Sequence, residues 1–183
     1  MPAPLKLVSV GGRAEEISSL MQDQAQLFGG AEVKAGKVAG IQIFRFEATI
    51  PLEDKTLELS LYAAEGQSDF RGVYQTLTAN AHGVIGFIPA DLTRIEESML
   101  VLGRLHSCFQ ERKKQGEELM FMLQYHWATN ANGQPHPEEL DRALGLNPET
   151  MQRVFTEENT SNQAEATIAL LERCLQARAR EVA

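Results

Sequence analysis

The chain has 183 residues, 43% of them hydrophobic, and a formal net charge of -8, which allows one sizeable core and one domain and repels nucleic acid and anionic membrane surfaces. Its two cysteines, Cys108 and Cys174, stand far apart in helix-like segments, a pattern of buried thiols in a reducing compartment rather than of a disulfide framework or a zinc site. No run approaches the roughly 20 apolar residues of a membrane span, and the first apolar run is too short for a signal peptide, so a cytoplasmic protein is expected.

Residues 5–10 form a short apolar run that predicts a buried strand, and residues 14–28 predict a helix stopped by Gly29 and Gly30. "GIQIFRFEATIPL" and "TLELSLYAA" are rich in β-branched and aromatic residues, alternate in polarity, and predict an antiparallel hairpin across "EDK". Asp69 is placed to cap a short helix running to residue 80. "GVIGFIPA" then reads as a strand covered on both faces. Asp91 and Thr93 open a long helix whose apolar positions Ile95, Met99, Leu102, Leu105 and Phe109 recur at three- and four-residue spacing.

"LMFMLQY" predicts another buried strand, "HWATNANGQPH" a loop, "PEELDRAL" a short helix with proline in its first turn, and "MQRVF" an edge strand. Residues 164–180 predict a closing helix with Ile168, Leu171 and Leu175 on one face. Strands alternating with helices imply an α/β fold: a mostly parallel sheet wrapped on both sides, with one antiparallel hairpin inserted early. Ligands of such folds bind at the carboxyl ends of the strands, so informative residues should follow each apolar run.

The phrases "LYAAEGQ", "NAHGVIGFIPADLTRIEESMLVLGRL" and "MLQYHWAT" resemble the Ras-like small GTPases, most closely the bacterial MglA type that governs gliding motility and cell polarity. The resemblance runs from Lys6 to about Ala177 and is best between Leu61 and Leu105. It implies a Ras-like, P-loop-type three-layer α/β/α sandwich with a mostly parallel six-stranded sheet and one antiparallel hairpin strand. It also implies where nucleotide chemistry would reside.

At those positions the chemistry is missing. A phosphate-cradling loop GxxxxGK[ST] counted from Gly11 meets Glu16 and Ile17 in place of the glycine and lysine, while Ser18 keeps the hydroxyl, a residue common in any first helical turn. A carboxylate about 4 Å from a phosphate charge is repelled by roughly 4 kcal/mol at an effective dielectric of about 20. That alone costs about a thousandfold in affinity. The DxxG aspartate is Ala63, although Gly66 and Gln67 remain, and Gln67 matches the water-positioning glutamine of active GTPases. The base-reading motif is replaced by His126, Trp127, Ala128 and Thr129. His126 and His136 lack a third ligand at metal-binding spacing, so neither metal nor cofactor is expected.

The family's partners dock on the hairpin strand and on the segment after the glycine-glutamine pair, which here contain Phe44, Arg45, Phe46, Gln67, Phe70, Arg71 and Tyr74. The expectation is a catalytically inactive, MglA-like protein-binding module. Its implied partners are a roadblock-fold protein of the MglB kind, a polarity response regulator or a true MglA-type GTPase. The competing expectation is an atypical GTP- or ATP-hydrolysing enzyme that uses Arg13 for phosphate charge, and a third is a merely fold-deep similarity, as in a pseudo-receiver.

Overall fold

A computed structural model describes residues 4–30, 32–51, 56–66, 71–117, 119–128 and 133–182. Strand β1 (Leu5–Val10) lies at the centre of the sheet and is buried at every residue but the partly covered Lys6, as its mostly apolar run leads one to expect. Helix α1 (Ala14–Leu27) follows after only three residues and buries Ile17, Leu20, Met21 and Ala25. It stops at Gly29 (φ 108°) and Gly30 (φ 72°), where the chain turns through backbone angles that favour glycine. Strands β2 (Lys34–Val38), β3 (Ile41–Pro51) and β4 (Thr56–Ala64) come next.

Helix α2 (Arg71–Thr78) leads into β5 (Gly83–Pro89), which is buried throughout. Asp91 caps a single 3-10 turn by accepting the Thr93 N–H at 2.9 Å, and α3 (Ile95–Lys114) continues from it. Strand β6 (Met120–Trp127), α4 (Pro137–Leu144), β7 (Arg153–Glu157) and α5 (Glu165–Val182) complete the chain. The strand order is β2-β3-β4-β1-β5-β6-β7. Only β3 runs against the rest, pairing antiparallel with β2 and β4, while β1, β4, β5, β6 and β7 are parallel.

Helices cover both faces. Residues of α1 and α5, including Ile17, Met21, Leu170 and Cys174, pack with Leu5, Leu7, Phe46, Leu61 and Phe87 on one side. Val73, Tyr74 and Leu77 of α2 and Val101, Leu105 and Cys108 of α3 pack with Val8, Val10 and Val84 on the other. A third cluster joins Tyr125 and Trp127 of β6 to Leu140 and Leu144 of α4. Among the described residues, no helix is long and apolar enough to cross a membrane.

Several expectations are corrected. The sheet has seven strands rather than six. The extra one, β2, is exposed at every residue, so "KAGKV" has no apolar alternation to announce it. It is held by its ladder to β3 across a tight turn at Ala39 (φ 50°) and Gly40 (φ 85°), the positive pair a two-residue hairpin favours. β6 extends through His126 and Trp127, which the sequence places in a loop, because the parallel partner β7 continues alongside them. On α3 the buried positions are Ser98, Val101, Leu105 and Cys108, while Met99 points outward, 50% exposed. On α5 the same shift leaves Ile168 exposed and buries Leu170, Leu171 and Cys174. Asp69 lies outside the described residues.

Candidate functional site

The crevice for a ligand in such a sheet lies at the carboxyl end of β1, where the chain changes from building the sheet toward β4 to building it toward β5. Here the connection leaving β1 is Gly11, Gly12 and Arg13, and α1 begins at once. Gly11 has φ 135°, and a Cβ on it would sit 2.0 Å from the carbonyl oxygen of Phe87. Gly12 lies against the Phe87 ring, where an added Cβ would approach to 2.8 Å. Gly66 closes the third side: its N–H donates to the Gly12 carbonyl at 2.9 Å, and an added Cβ would lie 2.9 Å from Gly11 Cα. The Gly11 N–H donates to the Ala64 carbonyl at 3.1 Å. Gly11 and Gly66 therefore allow close backbone approach within the protein, and Gly12 leaves room for the Phe87 ring.

The residues expected on a phosphate loop are helical. Glu16 is the third residue of α1, and its carboxylate turns back to accept the Arg13 N–H at 2.7 Å, one arm of a capping box. Ile17 is fully buried against the sheet and Ser18 is half-buried. Ala63 is buried in β4 beside Ser9 of β1. Among the described residues, Glu16 is thus engaged in the cap, and Ile17 and Ala63 in the core.

A short ion-pair chain closes the crevice from above. Arg94, with a side chain only 12% exposed, donates through Nη1 and Nη2 to the two Glu16 carboxylate oxygens at 2.7 and 3.0 Å. Its Nε donates to Glu97 at 3.0 Å, and Arg13 donates to the other Glu97 oxygen at 3.2 Å. Burial alone would lower the Arg94 pKa, but hydrogen bonds and charge from Glu16 and Glu97 outweigh it and raise it. For Glu97 burial raises the pKa, and the guanidiniums of Arg94 and Arg13 overcome that to hold it below its ordinary value. Asp91 is likewise lowered, first by its bond from the Thr93 hydroxyl. What remains between Gly12, Gly66, Phe87, Arg94 and Val101 is a cavity of about 10 Å³, at the lower limit for a single water.

At the ends of β6 and β7, beside an open pocket of about 410 Å³ lined in part by Trp127, Pro135, His136 and Phe155, the described side chains at the base-reading positions already have partners. His126 packs tilted against the Phe87 ring with centroids 5.2 Å apart, and its Nδ1 lies 3.0 Å from the Thr156 hydroxyl. Burial lowers its pKa, against the partly offsetting charges of Glu16, Glu158 and Asp23. Trp127 is buried against Tyr125 and Phe155, and its indole N–H donates to the Pro135 carbonyl at 3.1 Å. It is a packing residue whose donor is already used. His136 stands at the N-cap of α4, where its backbone N–H donates to Glu139. Among the described residues, no three metal-ligating side chains converge.

The expected partner surface is also redistributed. Phe44 and Phe46 belong to the core with α1 and α5, and Tyr74 is fully buried with its hydroxyl donating to the Glu65 carbonyl at 3.1 Å. Burial is the main reason that hydroxyl's pKa is pushed up to about 12. Arg45 alone of that set is a described, outward side chain, paired with Glu47 at 3.0 Å and lying over the Tyr62 ring. Gln67, Phe70 and Thr129 lie outside the described residues, as does the side chain of Arg71.

Sequence reasoning passed over Phe87, Arg94 and Glu97. The three-residue spacing of Arg94 and Glu97 in the first turn of a helix was a readable signal. Their link to Glu16, 78 residues away from Arg94, is tertiary. The chain matches no family model and no curated protein.

Proposed function

We propose that this chain is a Ras-like domain of the MglA kind that has given up guanine nucleotide and acts as a protein-binding module or scaffold in bacterial polarity, gliding or pilus control. The observation that carries the reading is the crevice after β1: a three-residue turn packed on Phe87 and roofed by the Glu16–Arg94 pair, with a cavity of about 10 Å³. Ligand pockets for small molecules run to about 300–1,000 Å³. A triphosphate would also have to displace the Glu16–Arg94 pair, whose guanidinium already occupies both carboxylate oxygens. Gln67 then has no phosphate to serve.

The biological setting and the partner classes rest on the resemblance in "LYAAEGQ" and the segments after it. A roadblock-fold protein of the MglB kind, a polarity response regulator and a true MglA-type GTPase are the partners it implies. Titration of the purified protein with fluorescent GDP and GTP in magnesium tests the nucleotide half. No binding is expected up to about 100 µM nucleotide, an interaction weaker than about -5 kcal/mol. Sub-micromolar binding overturns the reading. Capture from the native cell, followed by reconstitution with the purified partner, tests the scaffold half, and failure to reconstitute any 1:1 complex counts against it.

A further inference from the structure

Among the described residues the exposed large hydrophobic side chains are scattered, except at the head of α3, where Leu92, Met99 and Leu100 are 45%, 50% and 44% exposed. They join a stripe that continues through Gly103, His106 and Gln110 to Lys114, at three- and four-residue steps, on the side of α3 opposite its buried Ser98, Val101, Leu105 and Cys108. Gly103 is the unusual member. It sits inside a twenty-residue helix, and a Cβ added there would meet nothing within 4 Å. The packing of one protomer therefore gives no reason for glycine, which weakens a helix interior relative to alanine. A backbone approaching from outside does give a reason.

The charge along the same helix indicates what approaches. Its first turn carries Glu96 and Glu97, and its last turn carries Arg112, Lys113 and Lys114. Glu96, Lys113 and Lys114 are exposed and, among the described residues, make no ion pair. We propose that α3 is the seam of a homodimer, with two copies of this chain packed α3 against α3, antiparallel, about a two-fold axis near Gly103. That arrangement brings the acidic head of each helix to the basic tail of the other, twice by symmetry. It also sets opposite ends of the helix dipoles side by side. Parallel packing would oppose Glu96 with its own copy. Leu92, Met99 and Leu100 cover the stems of the partner's polar tail, and the absent side chain of Gly103 lets the helices close at the crossing.

One helix pair is small beside the standard interface of about 800 Å² per partner, so the dissociation constant is expected on the order of micromolar or weaker. The inference stands apart from the loss of nucleotide and from the family resemblance. Sedimentation equilibrium of the full chain between about 1 and 500 µM should show a monomer-dimer equilibrium across that range. Gly103→Gln should raise the dimer dissociation constant at least about tenfold while leaving the thermal midpoint of dilute monomer unchanged or higher. Glu96→Lys should weaken the dimer as well, and combining it with Lys113→Glu and Lys114→Glu should restore it. Monomer throughout the range overturns the proposal, and so does a dimer indifferent to both Gly103→Gln and Glu96→Lys.

Discussion

Replacing Arg94 by alanine removes the group that roofs the crevice. The side chain is 12% exposed and makes three hydrogen bonds to two carboxylates: 2.7 and 3.0 Å to Glu16, and 3.0 Å to Glu97. Truncating one partner of a fully buried ion pair costs about 3–5 kcal/mol, whereas an exposed pair is worth about 0–1 kcal/mol. Glu16 and Glu97 are 30% and 38% exposed, so water recovers part of the loss when their partner goes. About 2–3 kcal/mol is therefore expected, or roughly 5–10 °C in Tm for a domain of this size. Urea unfolding followed by the fluorescence of Trp127, the single tryptophan, and by far-UV circular dichroism would measure it, with the m-value unchanged. Arg94→Lys should recover less than half, since an ammonium cannot span both carboxylate oxygens. A loss below about 0.5 kcal/mol would place the network among ordinary surface pairs and refute the claim that it seals the crevice.

Two further outcomes follow from the same region. Gly11→Ala, whose Cβ would lie 2.0 Å from a backbone oxygen, should cost more than about 3 kcal/mol. Gly29→Ala, with φ 108° but nothing within 4 Å, should meet backbone strain alone, about 1–3 kcal/mol; equal losses in urea titration of the two variants would show that the turn is not packed as described. His126 is held below its ordinary 6.5 by burial, so the unfolded chain binds the extra proton first on acidification. Its contribution to stability is complete above that value and is lost as pH falls through 6.5 toward the lower folded pKa. Urea midpoints between pH 7.5 and 5 should decline for the wild type and decline less for His126→Gln. Parallel profiles would contradict the burial assigned to that imidazole.

Alternating burial demands settled much of this protein locally. The unbroken apolar run at residues 83–89 had to be a strand covered on both faces, the mostly apolar run at residues 5–10 read the same way, and the glycine pair after Leu27 had to end a helix. The antiparallel pairing of β3 with β4 was legible because the stretch between the two β-rich runs is too short for the crossover a parallel pair needs. That Glu16 and Ile17 are not the glycine and lysine of a phosphate loop was legible. What they do in this fold was not. That Glu16 caps α1 and clamps Arg94, and that the Phe87 ring fills the space beside Gly12, depends on elements tens of residues apart meeting at one crevice. Phe44, Phe46 and Tyr74 illustrate the same limit, since an aromatic residue on a strand or amphipathic helix reads alike whether it faces core or solvent. β2 could be found only once β3 offered it a ladder, and Met99 turned outward because helix α3 meets the sheet through Val101 and Leu105, a choice of face that a spacing of three and four leaves undecided.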